Sequence, residues 1–139
     1  MTLLDRTIQR FQSVDKQTRL EMLLEFAKQL PPLPERYVPL RDQGFGRVPE
    51  CQSPVFLWVE SAGGKLQLHA DAPREAPTVR GFVSLLARGV NAATAAEVAA
   101  IPSDLLDRLG LSDALGMMRM QGLSAIVGRV KRMAAEAGE

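Results

Sequence analysis

The chain has 139 residues, 46% of them apolar and 24% charged, with a net charge of +1 from 17 basic and 16 acidic side chains. That length holds one domain with a real core and not two, so residues 1–139 are read as a single domain, and the apolar share excludes a disordered chain. The near-neutral balance removes the electrostatic basis for a nucleic-acid or anionic-membrane partner, and no apolar run approaches the roughly 20 residues of a membrane span.

From the N-terminus, Asp5 and Arg6 fall too early for a signal-peptide core. Residues 3–12 predict a short helix, and Asp15 is placed to cap a second. There Leu20, Leu23, Leu24 and Ala27 recur at i, i+3, i+4 and i+7 and form one apolar stripe, with Glu21, Glu25 and Lys28 off it. Pro31 must end that helix, and "LPPLPERYVPLRDQGFG" (30–46) is rich enough in Pro and Gly to predict loop throughout. The β-branched and aromatic "VFLWV" (55–59) predicts a strand. "SAGGK" supplies a glycine hairpin turn rather than a P-loop, and "KLQLHA" alternates Leu66, Leu68 and Ala70 with Lys65, Gln67 and His69 as a half-buried strand. A short strand at 47–49 would complete a three-stranded antiparallel sheet.

Beyond "DAPREAP" the period returns to helical. Val79, Phe82, Val83 and Leu86 share a stripe that Gly89 should end. "NAATAAEVAAIP" predicts a helix stopped by Pro102, and "SDLLDRLG" another, capped by Ser103 or Asp104 and closed by Gly110. In the last helix Leu123, Ile126, Val127, Val130 and Ala134 share a face, with Arg129, Lys131 and Arg132 off it and toward the C-terminal, dipole-favoured end. A three-stranded sheet must be covered on one face by helices. The expected fold class is therefore α+β, a small three-stranded antiparallel sheet packed against several helices.

The only cysteine, Cys51, excludes an intramolecular disulfide and points to a reducing, cytoplasmic setting. Lone cysteines are commonly small buried fillers. Against that, Cys51 is flanked by the polar Glu50, Gln52 and Ser53, bracketed by Pro49 and Pro54, and precedes the strand. Neither proline donates a backbone hydrogen bond, which suits a protruding turn. The residues leave both readings open, a displayed thiol or a filler. His69 is the only partner for a Cys–His hydrolase, but its alternation predicts an exposed strand histidine. One Cys and one His fall short of a zinc ligand set, so no metal or cofactor is expected. Asp71 and Glu75 read as solvated loop charges rather than a catalytic carboxylate pair. The methionines of "MMRM" (117–120) predict core, and Arg119 between them is a solvated cation or a thiolate partner.

Four of these segments together resemble the SufE family of sulfur-acceptor proteins, which serve iron–sulfur cluster assembly. "MLLEFAKQLPPLP" (22–34) matches its helix-to-proline segment, and "CQSPVFLWV" (51–59) its Cys-Gln-Ser-x-Val motif and aromatic-rich strand. "VRGFVSLL" (79–86) matches its short helix opening at Gly81, and "GMMRMQGLSAIV" (116–127) its Ser-Arg-x-x-Gly-Leu element at Arg119 and Gly122. The resemblance implies a SufE/IscU-like fold and a single SufE-like domain. It implies that Cys51 accepts sulfane sulfur as a persulfide from a SufS-like, pyridoxal-phosphate-dependent cysteine desulfurase, stimulates that enzyme, and passes the sulfur to a SufBCD-like scaffold complex. Gln52 and Ser53 would shape the loop and Arg119 would favour the thiolate. The resting thiol would fold back over an apolar cavity, in a monomer or weak homodimer that is a persulfide carrier rather than a stand-alone enzyme.

Two positions depart from the pattern. Glu50 stands where the family commonly has Gly, which should stiffen the loop and disfavour the neighbouring thiolate. The acidic Asp-Ser-Asp after the last strand is here "ADAPREAP" (70–77), matching only at Asp71. The other readings of the chain are an IscU-type cluster scaffold, which needs several thiolates, a Cys–His hydrolase, and a binding-only regulator of a desulfurase.

Overall fold

The computed structural model describes residues 2–138. The chain runs through α1 (Leu3–Gln12), α2 (Lys16–Lys28), a single 3-10 turn at Glu35–Tyr37 and α3 (Val38–Asp42) before the hairpin of β1 (Phe56–Ala62) and β2 (Lys65–Asp71). It continues through α4 (Pro77–Val90), α5 (Ala95–Ala99), α6 (Leu105–Arg108), α7 (Ser112–Leu115) and α8 (Met117–Ala137). The α+β class holds, with helices packed on a small antiparallel sheet.

Local chemistry sets most of these boundaries. Asp15 caps α2 by accepting a hydrogen bond from Thr18 N at 2.8 Å. Gly63 and Gly64 turn the hairpin with φ of +60° and +80°, a left-handed pair that other residues resist. The register places Trp58 opposite His69 and Val59 opposite Leu68. Leu66, Leu68 and Ala70 are buried beneath β2 while Lys65 and Gln67 face solvent. α4 covers that inner face and packs on α2, and α8 packs on β1. The apolar face of α8 goes inward as its spacing predicts, with Leu123, Ile126, Val127, Val130 and Ala134 all buried.

Several expectations are corrected. The sheet has two strands, not three. Residues 47–49 form only an isolated bridge, Arg47 to Phe56, because Pro49 offers no N–H and the chain then turns back on itself. The 30–46 segment is not all loop: Pro39 occupies the second position of α3, where a missing N–H costs the helix nothing. Gly89 does not end α4, which runs to Val90 and is closed by Asn91 N donating to the carbonyl of Ala87 at 2.9 Å, while at Gly89 the helix lies close against Leu4 of α1. Asp104 occupies the cap position of α6 but spends its carboxylate on Arg108 at 2.8 Å and caps nothing. The cations of α8 are not in its last turn: Arg129 faces Glu50, and Lys131 donates to the carbonyl of Ile101. Met117 and Met118 are exposed rather than core.

The outer face of the hairpin is covered by the 3-10 turn and α3. Arg36 and Tyr37 both bond Glu60, His69 Nε2 lies 3.1 Å from the same carboxylate, and the Tyr37 ring stacks on Trp58 at 4.6 Å. His69 is thereby half-buried, not an exposed strand histidine. With three hydrogen-bonding partners the Glu60 carboxyl is pulled down to about 2, Arg36 contributing most, then Tyr37. Asp71 is likewise paired, with Arg41 at 3.0 Å and Arg80 at 3.8 Å, rather than solvated, while Glu75 is exposed.

Candidate functional site: the Cys51 loop on α8

Between the two prolines the chain leaves the hairpin and returns to it. Val48 N donates to Val55 O at 2.9 Å, and both valines are fully buried, so the base of this loop is fixed. Cys51 N donates back to Val48 O at 3.3 Å, which turns the tip over. Gln52 and Pro54 point outward, while the Cys51 side chain points inward and is 7% exposed. Its thiol donates to the carbonyl of Gly122 on α8 at 3.4 Å, a weak contact between groups 71 residues apart in sequence.

Gly122 makes this approach possible. A Cβ at that position would stand 3.3 Å from Cys51 Sγ and 3.6 Å from both Cys51 Cα and the Glu50 carbonyl oxygen. The loop therefore lies against the helix at Gly122, where no side chain stands in the way. Above the sulfur is a pocket of about 130 Å³ lined by Cys51, Gln52, Ser53, Val79 of α4, and Met118, Arg119, Gly122 and Leu123 of α8. Cys51 thus belongs to the buried core cluster and also lines this pocket.

Electrostatics keep the resting sulfur protonated. Burial pushes the Cys51 thiol up, Glu50 pushes it further in the same direction, and Arg47 opposes them. The Glu50 effect is the one expected from that residue standing beside the cysteine. Arg119 is brought to the pocket, but its guanidinium donates to Thr78 Oγ1 at 3.1 Å. The one cation that lowers the Cys51 thiol's pKa is Arg47, a smaller effect than burial and Glu50, on the same segment two residues before Pro49. The signal for it was present, since Arg47 is the nearest preceding cation in the chain. Arg129 was also assigned only to the outer face of α8, yet its Nη2 lies 3.5 Å from Glu50 Oε1.

Gln52, Ser53 and Arg119 thus share one pocket with Cys51, and His69 does not. The histidine is committed to Glu60 on the far side of the hairpin's pairing, so the Cys–His hydrolase arrangement is not formed. Among the described residues no three His, Cys, Asp or Glu side chains cluster as metal ligands. No helix among them is long and apolar enough to cross a membrane.

Comparison with known proteins identifies a family. Residues 5–134 match the family model described as the SufE, Fe-S metabolism associated domain. An uncharacterized SufE-like protein of Mycobacterium tuberculosis is 42% identical over 135 residues, spanning 96% of this chain and 92% of that protein. The sulfur acceptor protein CsdE of Escherichia coli is 37% identical over 114 residues, 81% of this chain and 71% of its own. The solution structure of a hypothetical protein from Thermus thermophilus superposes with a TM-score of 0.82 at 32% identity, covering 96% of this chain and 94% of that one. A pocketed thiol on a proline-bracketed loop, and a family match over nearly all of the sequence, lead to one conclusion: this chain belongs to the SufE family.

Proposed function

We propose that this protein is a sulfur acceptor whose reactive atom is the Sγ of Cys51. The donor is the persulfide of a pyridoxal-phosphate-dependent cysteine desulfurase. The Cys51 thiolate attacks the outer sulfur of that persulfide, the donor S–S bond breaks, and the desulfurase cysteine leaves as a thiolate. Cys51 then carries the sulfur as its own persulfide, with no net oxidation or reduction. By clearing the desulfurase it stimulates turnover, and it delivers the sulfur to an iron–sulfur assembly scaffold inside a reducing cytoplasm. The protein is on this reading a carrier rather than a stand-alone catalyst, one SufE-like domain without a cofactor of its own.

The observation that carries the reading is the position of the sulfur. It is buried but lines a surface pocket, on a loop with a fixed base and a tip held by a 3.4 Å thiol–carbonyl contact. Transfer needs the attacking sulfur to reach into another protein's active site, and a loop hinged between buried valines supplies that reach without unfolding the domain. The raised thiol suits a sulfur kept protonated and unreactive until the loop swings out and restores its ordinary acidity. Gln52, Ser53 and Arg119 line the same pocket as Cys51, which supports a role for them in shaping the loop and meeting the transferred sulfur. The likeness to a protein named a sulfur acceptor points the same way.

Intact-mass measurement after incubation with a cysteine desulfurase and cysteine tests this directly. The wild-type chain gains one or more sulfur atoms on Cys51 and accelerates sulfide release. Cys51→Ser gains none and accelerates nothing. Equal stimulation by the serine variant would replace the carrier with a binding-only regulator, and cluster assembly on the isolated chain would replace it with an IscU-type scaffold.

A further inference from the structure

Cys51 is not the only residue by which the loop touches α8. Glu50 lies 44% exposed with its carboxylate 3.5 Å from Arg129, which is 31% exposed on α8. Gly122 and Arg129 are seven positions apart, two helical turns, so both contacts fall on one face of α8 about 10 Å from each other. The Glu50 carbonyl rests over Gly122, and its side chain reaches along the helix to Arg129. Among the described residues, neither Gln52 nor Ser53 makes a side-chain hydrogen bond, so the tip of the loop is held at these two points.

Arg129 is an incomplete partner. Its Nε is buried and has no hydrogen-bond acceptor among the described residues. A guanidinium that satisfied its donors would bind Glu50 in a bidentate fork, and here a single long contact forms instead. The loop is therefore held by a contact strong enough to bias it and weak enough to release.

We propose that Glu50 and Arg129 form an electrostatic latch that positions the Cys51 loop against α8 and sets the fraction of time the thiol spends outside its pocket. As a statement about sulfur transfer this rests on Cys51 being the acceptor; as a statement about loop opening it stands without it. The latch also explains what a carboxylate does beside a nucleophilic sulfur. Glu50 disfavours the thiolate while the loop is docked, and holds it docked by the same charge. Both effects disappear together on opening. The charged groups around the sulfur are Arg47 and Glu50 on its own segment and Arg119 and Arg129 on α8.

The test is the rate of Cys51 alkylation by iodoacetamide in the whole chain, followed by intact mass across a pH series, with far-UV circular dichroism confirming the fold. The variants are Glu50→Gln, Arg129→Gln and the double substitution. A partly exposed ion pair biases an equilibrium by about two- to fivefold. A latch therefore predicts that both single variants alkylate about two- to fivefold faster on the alkaline plateau, where every thiol is ionised. The double variant should be no faster than the faster single. High salt should accelerate the wild type and leave the neutral variants unchanged. A purely electrostatic influence on the thiol predicts no change on that plateau and, at lower pH where the thiol is only partly ionised, opposite signs for the two singles, since losing a carboxylate favours the thiolate and losing a cation disfavours it. That result, or additive effects in the double variant, overturns the latch. Should Arg129→Gln fail to fold, Glu50→Gln with its loss of salt dependence decides alone. Alkylation needs no desulfurase, so faster alkylation without sulfur gain in the desulfurase assay would sink the carrier reading and keep the latch.

Discussion

Two glycines bring a second piece of backbone up to a helix in this molecule, and the two approaches tolerate very different disturbance. At Gly81 on α4 a Cβ would lie 2.2 Å from the carbonyl oxygen of Leu23 and 3.0 Å from its carbon, so α2 and α4 touch backbone to backbone. At Gly122 on α8 a Cβ would meet the Cys51 sulfur at 3.3 Å, and the nearest backbone atoms only at 3.6 Å, ordinary contact distance. The first contact joins two helices whose Leu23, Phe82 and Leu86 are fully buried. The second joins a helix to a loop tip held by one thiol hydrogen bond and one long ion pair. The hairpin's outer face sides with the scaffold, since Arg36, Tyr37 and His69 all converge on Glu60. Stability here is distributed unevenly, with redundancy in the frame and sparse contacts around the reactive sulfur, as a moving element requires.

The scaffold side of this contrast breaks hardest. Gly81→Ala forces α2 away from α4, because the obstructing atoms are main chain and have no rotamer to escape through. Urea unfolding should show a loss of about 3 kcal/mol or more, the top of the range for overpacked cores. A loss below about 1 kcal/mol would mean that the α2–α4 contact yields as easily as the loop. Glu60→Gln comes next. The carboxylate's value is depressed to about 2 from the ordinary 4.5. Its stabilisation is therefore complete above pH 4.5, declines as the pH falls through that range, and is gone near pH 2. Because the side chain is 34% exposed, solvent screening reduces the expected loss at neutral pH to about 1–2 kcal/mol. The gap between wild type and variant should close on acidification, and Cys51 alkylation should not change at neutral pH. A gap that stays constant with pH would assign the Glu60 cluster to packing alone.

Much of this contrast can be read from the chain before any coordinates. The period of 3.6 gives the buried face of α8, the alternation gives β2, and Pro49 and Pro54 mark the ends of a loop around Cys51. What could not be read is direction. The polar residues Glu50, Gln52 and Ser53 argued for a thiol facing out, and they do border solvent, but Cys51 between them points into the gap over Gly122. That gap depends on a glycine 71 residues away, and no local pattern registers a vacancy supplied at such a distance. The third strand does not form for a local reason visible in the sequence, Pro49, and only an isolated bridge at Arg47 remains. Met117 and Met118 are exposed despite their hydrophobicity, since apolar side chains make up much of any folded surface, and Met118 lines the pocket over Cys51. Arg119 belongs to a motif and Arg47 does not, yet Arg119 bonds Thr78 while Arg47 is the cation that offsets part of the rise in the Cys51 thiol.

The smallest expected change in stability is the most informative about the loop. Gly122→Ala removes helix-interior glycine from α8, which by itself favours folding by about 1 kcal/mol. Against this, the new methyl displaces the Cys51 loop by a few tenths of an ångström and weakens the thiol–carbonyl contact. The two nearly cancel, so unfolding free energy should change by less than about 1 kcal/mol in either direction. Reactivity should not cancel. With its docking surface raised, the loop spends more time open, and iodoacetamide should reach Cys51 about threefold faster or more, in line with losing a weak contact worth somewhat under about 1 kcal/mol. Stability and thiol access would then move independently at Gly122, whereas at Gly81 any gain in access can come only through lost stability. If Gly122→Ala instead lost more than about 1 kcal/mol and left alkylation unchanged, the loop would be as firmly built as the α2–α4 interface. The sulfur would then have no route out of its pocket short of unfolding.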